Sequence, residues 1–482
     1  MRGFYAVYLF VNRIFRRKHM KKILTGFSVM LLALSGLVGC TGRGGGNKTE
    51  SVPDEELTGT AKEVAAASKM TMAELEAASK AEFEANKGET FKVVGLTSVL
   101  QKVMSTFAAK YDWVHYKEEG EGAQADNVYV KNDYKDYTLL SALNTAEKSY
   151  MADYALVQDV RSFSAYLQDG ILHNYVPSDW QELGLKEEDT LPLKGIHFNK
   201  LFWTNTNFTN VTGKTLYNIW QLAGTKGDHA DHLEKISFQT PVTEQINMSF
   251  LVSCYAQDNQ KRIEDAYKSY YKKDWSSTKY ASAGEQWVDE FLTNITTWHA
   301  SDGTAMKQTQ LETDWKAGVV YYGAFAKMKD AAGKYYAVEG QETDPILKDL
   351  IETEGENKGK VNAMKTVKWD WQIEGFNGFM YCMDSQIVNN AKFPYTACLY
   401  ARVLLEESSY SNAIFNKATP GTDGQKGNQY GYYYPGTASE NFNYAAGDWT
   451  KEQHIEREIN EDYNFLKNAK SAWAQAIIAK IS

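Results

Sequence analysis

Phe91-Lys92-Val93-Val94-Gly95-Leu96, followed at once by Thr97-Ser98 and then by Val99 to Tyr111, is the stretch from which the fold is read. The short apolar run has the composition of a buried strand. Thr97 and Ser98 are N-cap formers, and Leu100, Val103, Met104, Phe107 and Ala108 then recur at the spacing of one helix face. The same unit returns further on. Tyr137 to Tyr150 has a helical pattern, Ala152 to Val157 is a strand, and Gln158-Asp159 turns the chain into a second helical pattern, Val160 to Leu167. Strands alternating with helices predict an α/β sheet covered on both faces.

Outward from these units the alternation continues. Gly195 to Trp203 is a long strand, interrupted at most by Asn199, and a helix is expected around Tyr217 to Leu222. Ile236 to Gln239 is a strand, and Pro241 behind Thr240 suits the first position of a helix that runs over Ile246 to Tyr255. Helices are expected over Arg262 to Lys273 and Gln286 to His299, then a strand over Gly318 to Phe325 and a charged insertion from Gln341 to Lys360. Val367 to Ile373 reads as a strand, Phe393 to Glu407 as a helix, Gly421 to Gly447 as a polar loop and Thr450 to Ile481 as closing helices. Towards the start, Thr71 and Glu74 form a capping-box pattern for an exposed or lightly packed helix over 72–87. Thr41 to Thr60, with Gly44-Gly45-Gly46, reads as flexible tether.

Before the tether, Lys21-Lys22 precede an uncharged run from Ile23 to Val38 that ends in Leu37-Val38-Gly39-Cys40. A basic start, an apolar run and small residues at a cut site are the layout of a secretory signal, and a cysteine directly after the small residue resembles a bacterial lipobox. The expectation is a signal peptide over 1–39, readable also from Met20, with Cys40 acylated as the new N-terminus. A transmembrane anchor is the alternative, for which the run is marginal in length. The chain of 482 residues carries a net charge of −9, and removing residues 1–39, with their seven lysines and arginines and no acid, takes it to −16. So acidic a body, with no basic stripe, argues against nucleic acid as a partner. Besides Cys40 there are Cys254, Cys382 and Cys398, an odd number without CxxC spacing. A Cys382–Cys398 disulfide and buried free thiols both remain open. No GxSxG, HExxH, P-loop or GxGxxG motif occurs.

With these segments in view, the chain resembles bacterial extracellular solute-binding lipoproteins of ABC importers, in the branch of ferric-ion, polyamine and thiamine receptors. The resemblance rests on Ala152 to Gln158, with Gly170 to Leu172 and Tyr175 to Pro177 after it, and on Leu216 to Leu222 followed by Lys235 to Pro241. Glu374-Gly375, Val388 to Ala391 with Pro394, and Glu461-Asp462 complete it. It implies a two-lobed periplasmic-binding-protein-like fold of type II with the ligand cleft between the lobes, Gly195 to Trp203 and Val367 to Ile373 serving as crossing strands. Lobe one would be 91–198 plus 374–400 and lobe two 199–370, with 40–90 a lipid-anchored tether and helix and 401–482 packing on the lobes. It further implies capture of a small-molecule or ion ligand outside the cytoplasmic membrane, delivery to ABC permease subunits and attachment to the cell membrane through lipid on Cys40. No enzymatic activity and no cofactor are expected, and no residue is assigned to a metal. A tethered extracytoplasmic hydrolase is the rival reading, and a ferric-ion receptor using paired tyrosines is a variant of the first.

Ligands in open α/β sheets lie beyond the carboxyl ends of strands, which directs attention to particular residues. Thr97 and Ser98 open a helix whose N-terminus favours a polar or anionic group, unless they only cap it. Thr240 and Glu244 hold the analogous turn in the second lobe. Gln158 ends a strand in the family-like segment. Tyr321 and Tyr322 are a candidate ferric pair, among 31 tyrosines that include other pairs. Trp371, with Trp369, and Glu374 could supply an aromatic wall and a carboxylate for an amine, or be strand core. Asp228, His229, Asp231 and His232 have metal-like spacing, with a solvated turn as the plainer reading.

Overall fold

The computed structural model describes residues 57–95, 99–116, 127–131, 150–158, 163–225, 227–312, 314–325, 334–340, 342–368, 372–406, 408–409 and 451–481. The lipobox, the tether up to residue 56, the helix expected over 137–150 (but for Tyr150) and the loop over 421–447 lie outside them. Residues 54–482 form one compact unit.

Two helices open the described chain, α1 (Gly59–Ala67) and α2 (Met72–Ala85), the second with both bonds of the capping box between Thr71 and Glu74. Neither is loose. Glu82 on α2 accepts the Tyr395 and Thr396 amides at 2.9 and 2.7 Å, the first turn of α10 (Pro394–Leu404), and Phe83 packs on Phe393 at 4.9 Å. The expectation of a lightly packed helix is therefore corrected: Glu82 supplies an acceptor to the unpaired N–H groups of another helix.

The strands, in chain order, are β1 (Phe91–Gly95), β2 (Val128–Lys131), β3 (Tyr154–Val157), β4 (Leu172–His173), β5 (Lys194–Asn205), β6 (Ile236–Gln239), β7 (Ile295–His299), β8 (Val320–Ala324), β9 (Tyr335–Ala337), β10 (Lys360–Asn362), β11 (Val367–Lys368), β12 (Gly378–Val388) and β13 (Ile459–Asn460). One sheet runs β2-β1-β3-β12-β5-β8-β6-β7. Its ends are parallel: β1 with β2 and β3, and β6 with β7 and β8. Its middle is antiparallel, β12 pairing with β3 and β5, and β5 with β8. Among the described strands, the two parallel half-sheets are thus joined only through β5 and β12.

β5 is the expected long strand. Its partner is not the expected one: of the strand expected over 367–373, the described residues show Val367–Lys368 as strand, set against the end of β5, and the second crossing is β12. Every residue of β12 is buried, Asp384, Ser385 and Gln386 included, so the alternation that marks a half-exposed strand is missing.

On the first half-sheet, α2, α3 (Val99–Lys110) and α10 cover one face, with Tyr400 in edge contact with Phe91, Phe107 and Tyr154. On the second, Phe202 and Phe238 of the sheet pack with Phe250 of α6 (Gln245–Ser253) and Phe291 of α8 (Ala283–Asn294). Each such ring contributes about 1.5–3 kcal/mol on burial. The chain after α8 enters β7, not more helix, as the Thr296-Thr297-Trp298 run favours. Ile219–Gln221 is a single 3-10 turn where a helix was expected. Within the charged insertion Leu347 reaches a small core with Trp315, Val338 and Val361. The last helix, α12 (Tyr463–Ile481), packs on α6 and α8, the helices over the second half-sheet, its Trp473 stacked on Tyr255 at 4.2 Å. Among the described residues no helix is long and apolar enough to cross a membrane. Cys254, Cys382 and Cys398 are buried free thiols, so no Cys382–Cys398 disulfide forms.

Candidate functional site

Lys200 pairs in register with Ala324, the last residue of β8. Its side chain therefore lies where β8 stops, at the carboxyl edge of the second half-sheet. It is 2% exposed. An isolated buried ammonium would cost several kcal/mol, and Lys200 is not isolated: Nζ donates to Asn247 Oδ1 at 2.8 Å and pairs with Asp302 Oδ2 at 3.1 Å. Asn247, on α6, donates to the Gln239 carbonyl at 2.8 Å, and Gln239 Nε2 donates to the Ala300 carbonyl at 3.1 Å. Asp302 opens the short helix α9 (Asp302–Lys307), where it also accepts the Ala324 amide at 3.4 Å. Tyr321 donates its hydroxyl to the Asp302 carbonyl at 3.1 Å. That hydroxyl lies over Gly323: a Cβ added there would sit 1.7 Å from it, so the ring requires glycine at this position. One connected polar network thus lines the carboxyl ends of β6, β7 and β8, where an α/β sheet holds its ligand.

The sequence-derived candidates fall unevenly around this network. Thr97, Ser98 and Trp371 lie outside the described residues. Gln158 is buried just beyond the end of β3. Thr240 and Glu244 close the turn after β6: the Thr240 carbonyl accepts the Glu244 amide at 3.1 Å, and Glu244 caps α6 through Ile246 N at 3.3 Å. The start of α6 is therefore occupied by the protein's own carboxylate. It repels the anionic group that a bare helix N-terminus would attract.

Tyr321 and Tyr322 are both fully buried and point to opposite faces of the sheet, as consecutive strand residues must. Tyr321 joins Leu201, Trp203 and Met306, whereas Tyr322 stacks on Phe250 at 4.6 Å and Phe238 at 5.2 Å. The structure does not bring the two hydroxyls together. Glu374 is exposed and accepts Asn218 Nδ2 at 2.8 Å, on the segment that leads into β6. His229 stacks on Tyr270 at 4.0 Å and Asp231 accepts the Tyr217 hydroxyl at 3.1 Å. Among the described residues no three His, Cys, Asp or Glu side chains are grouped to hold a metal ion.

The crossing strands carry polar groups that sequence reading missed. Cys382 Sγ lies 3.5 Å from His197 Nδ1, and His197 Nε2 lies 3.8 Å from Asp189, which pairs with Lys194 at 3.1 Å. The order thiol, imidazole, carboxylate is that of a nucleophile with its base, but the environment opposes it. Burial pushes the Cys382 thiol well up, and burial with neighbouring lysines pushes the His197 imidazole well down. Both stay neutral. On β5, Asn199 Nδ2 reaches His454 Nδ1 at 2.9 Å, and His454 is bonded to Glu458, on the segment around α11 (Lys451–Arg457). Neither group was visible in the sequence, because its members lie far apart in the chain.

This architecture matches solved structures. IdiA (FutA) of Trichodesmium, in complex with iron and citrate, is 11% identical over 82% of this chain and 99% of that one, with a TM-score of 0.50. Apo ferric ion-binding protein A of Pasteurella haemolytica is 9% identical over 82% and 98%, also at 0.50. The ferric iron-binding protein A of Mannheimia haemolytica, in an open conformation, gives the same figures, 9%, 82%, 98% and 0.50. No family model matches the chain, and no curated protein does. The likeness is one of fold: the chain has the two-lobed type II fold of periplasmic binding proteins. Two of these three are ferric ion-binding proteins, and the third holds iron and citrate.

Proposed function

We propose that this chain is the extracytoplasmic solute receptor of an ABC-type importer, capturing a small polar or charged solute between its lobes and presenting it to a permease. The observation that carries the reading is the Lys200 network, set at the carboxyl edge of the second half-sheet beside the two crossing strands. The fold shared with substrate-binding proteins supports it. Lobe one is assigned to 91–198 plus 374–400 and lobe two to 199–370, with β5 and β12 as the crossings. Closure around solute is expected to reduce the radius of gyration in small-angle scattering. A solute that binds tightly and leaves the scattering curve unchanged would argue for a rigid binding module instead. The Cys382–His197 pair, held neutral by burial, does not serve the hydrolase reading as an activated nucleophile, and Tyr321 and Tyr322, on opposite faces, do not serve the ferric reading as its chelating pair.

The receptor reading includes a lipid anchor on Cys40, supported by the sequence pattern before it. Cys40→Ala is expected to shift the protein from the membrane fraction to the soluble fraction, or to stall its processing. Normal processing with full membrane retention would remove the anchor from the proposal.

A further inference from the structure

Two buried acceptors at the edge of the second half-sheet lack donors, and a third carboxylate there is held only by long contacts. Gln239 is 4% exposed, and its Nε2 faces two oxygens, the Ala300 carbonyl at 3.1 Å and Glu244 Oε2 at 3.5 Å. Turning the amide over would set oxygen against oxygen, so the orientation is fixed. Its Oε1 is then buried with no hydrogen-bond partner. Asp302 repeats the pattern: Oδ2 takes Lys200 and the Ala324 amide, while Oδ1 is buried without a partner. Glu244 is held by two long contacts, 3.3 Å to the Ile246 amide and 3.5 Å to Gln239. Buried acceptors are normally paired, and these three lie at the end of β6 (Gln239), at the cap of α6 (Glu244) and at the start of α9 after β7 (Asp302).

The charges lean the same way. This edge carries two carboxylates, Glu244 and Asp302, and one ammonium, Lys200, which is already committed to Asp302 and Asn247. An anionic group arriving here would add acceptors to acceptors and negative charge to a carboxylate excess. A group rich in N–H and positively charged would supply what is missing.

We infer that the lobe-two half of the cleft receives a cationic nitrogen group of a small solute, held by Gln239, Glu244 and Asp302. The inference rests on the receptor reading above and narrows it to amine-bearing solutes. Lys200 acts as the fixed countercharge that keeps Asp302 oriented, with one carboxylate oxygen turned to the solute.

Putrescine, γ-aminobutyrate and succinate are chains of equal carbon number that differ in their end groups, and they test this directly. In thermal-shift and calorimetric titrations of the purified protein, one or both amines are expected to bind and stabilise it, and succinate is not. Glu244→Gln keeps the α6 cap oxygen and leaves the Lys200 pair intact. It is expected to weaken the bound amine by about tenfold, the loss of one charge-assisted hydrogen bond. If succinate or ferric citrate stabilises the protein while neither amine does, the receptor reading stands and this inference falls. Unchanged amine affinity in Glu244→Gln overturns the assignment of the group to this edge. If neither these probes nor a broad panel of sugars, amino acids, metals and vitamins binds, the receptor reading falls with it.

Discussion

Lys200→Met is expected to lower the stability of the folded chain by about 3–5 kcal/mol, the usual result of removing one partner from a buried ion pair. Methionine matches the lysine stem in length, so the loss is not one of packing volume. What remains is the Asp302 carboxylate without its countercharge and the Asn247 side-chain oxygen without its donor. The midpoint of urea unfolding reads the change directly. Adding Asp302→Asn to Lys200→Met should recover part of it, because the stranded charge is then gone. A double-mutant cycle measures that recovery as coupling between the two residues. Additive losses, or a single-variant loss below about 1 kcal/mol, would mean the pair is solvated and the network is not the closed unit described above.

A comparable loss is expected at the opposite end of the first half-sheet. Asp153 is fully buried, and Oδ1 accepts the Lys392 and Phe393 amides at 2.7 and 3.0 Å. Oδ2 accepts the Lys92 amide at 2.8 Å and the Tyr150 hydroxyl. One side chain thus ties β1 to the approach of α10. Asp153→Ala strands three backbone N–H groups at about 1–3 kcal/mol each, a large part of the roughly 5–15 kcal/mol that holds a domain together. Burial pushes Asp153 up to about 6 and neighbouring Glu82 up to about 7. Both values lie above those of the unfolded chain, so the fold binds these protons more tightly. The contribution is full below about pH 4 and is lost as pH rises through 6 and 7. Unfolding midpoints are therefore expected to fall across that window, with the upper part of the fall absent in Glu82→Gln. A midpoint that instead rises with pH there would show that both groups stay ionised in the fold.

Periodicity was enough to find the elements that obey it. β6 matches its expected bounds, β5 and β8 differ by a few residues, and the capping box at Thr71 and Glu74 forms as expected. β12 was hidden by its position between β3 and β5. A strand covered on both faces has no polar side to alternate with, and Asp384-Ser385-Gln386 interrupts its apolar run. The docking of α2 was hidden because Glu82 gains its meaning only from Tyr395 and Thr396, more than three hundred positions later. The edge proposed to bind was half legible. Thr240 and Glu244 were singled out through the strand–turn–helix step, but the charge preference now proposed for them was not, since Glu244 was not recognised as the cap of its own helix. Lys200 was passed over because a lone cation in an apolar strand looks like a solvent-facing position until Asn247 and Asp302 are placed beside it.

The narrow middle of the sheet has a mechanical consequence. In the proposed receptor, rotation of one half against the other passes, among the described strands, through torsion in a ribbon two strands wide, β5 and β12. Phe198 stacks on Tyr381 across that ribbon at 5.5 Å and 18°, and β13 is laid along the start of β12. These contacts set how compliant the ribbon is. In that receptor, the free-energy difference between open and closed shapes, to which such contacts contribute, sets the fraction in the competent shape, and apparent affinity scales with that fraction. Binding strength in such a molecule can thus be retuned at Phe198 and Tyr381 with every solute contact left as it is, which makes the ribbon the natural control point for a sensor built on this chain.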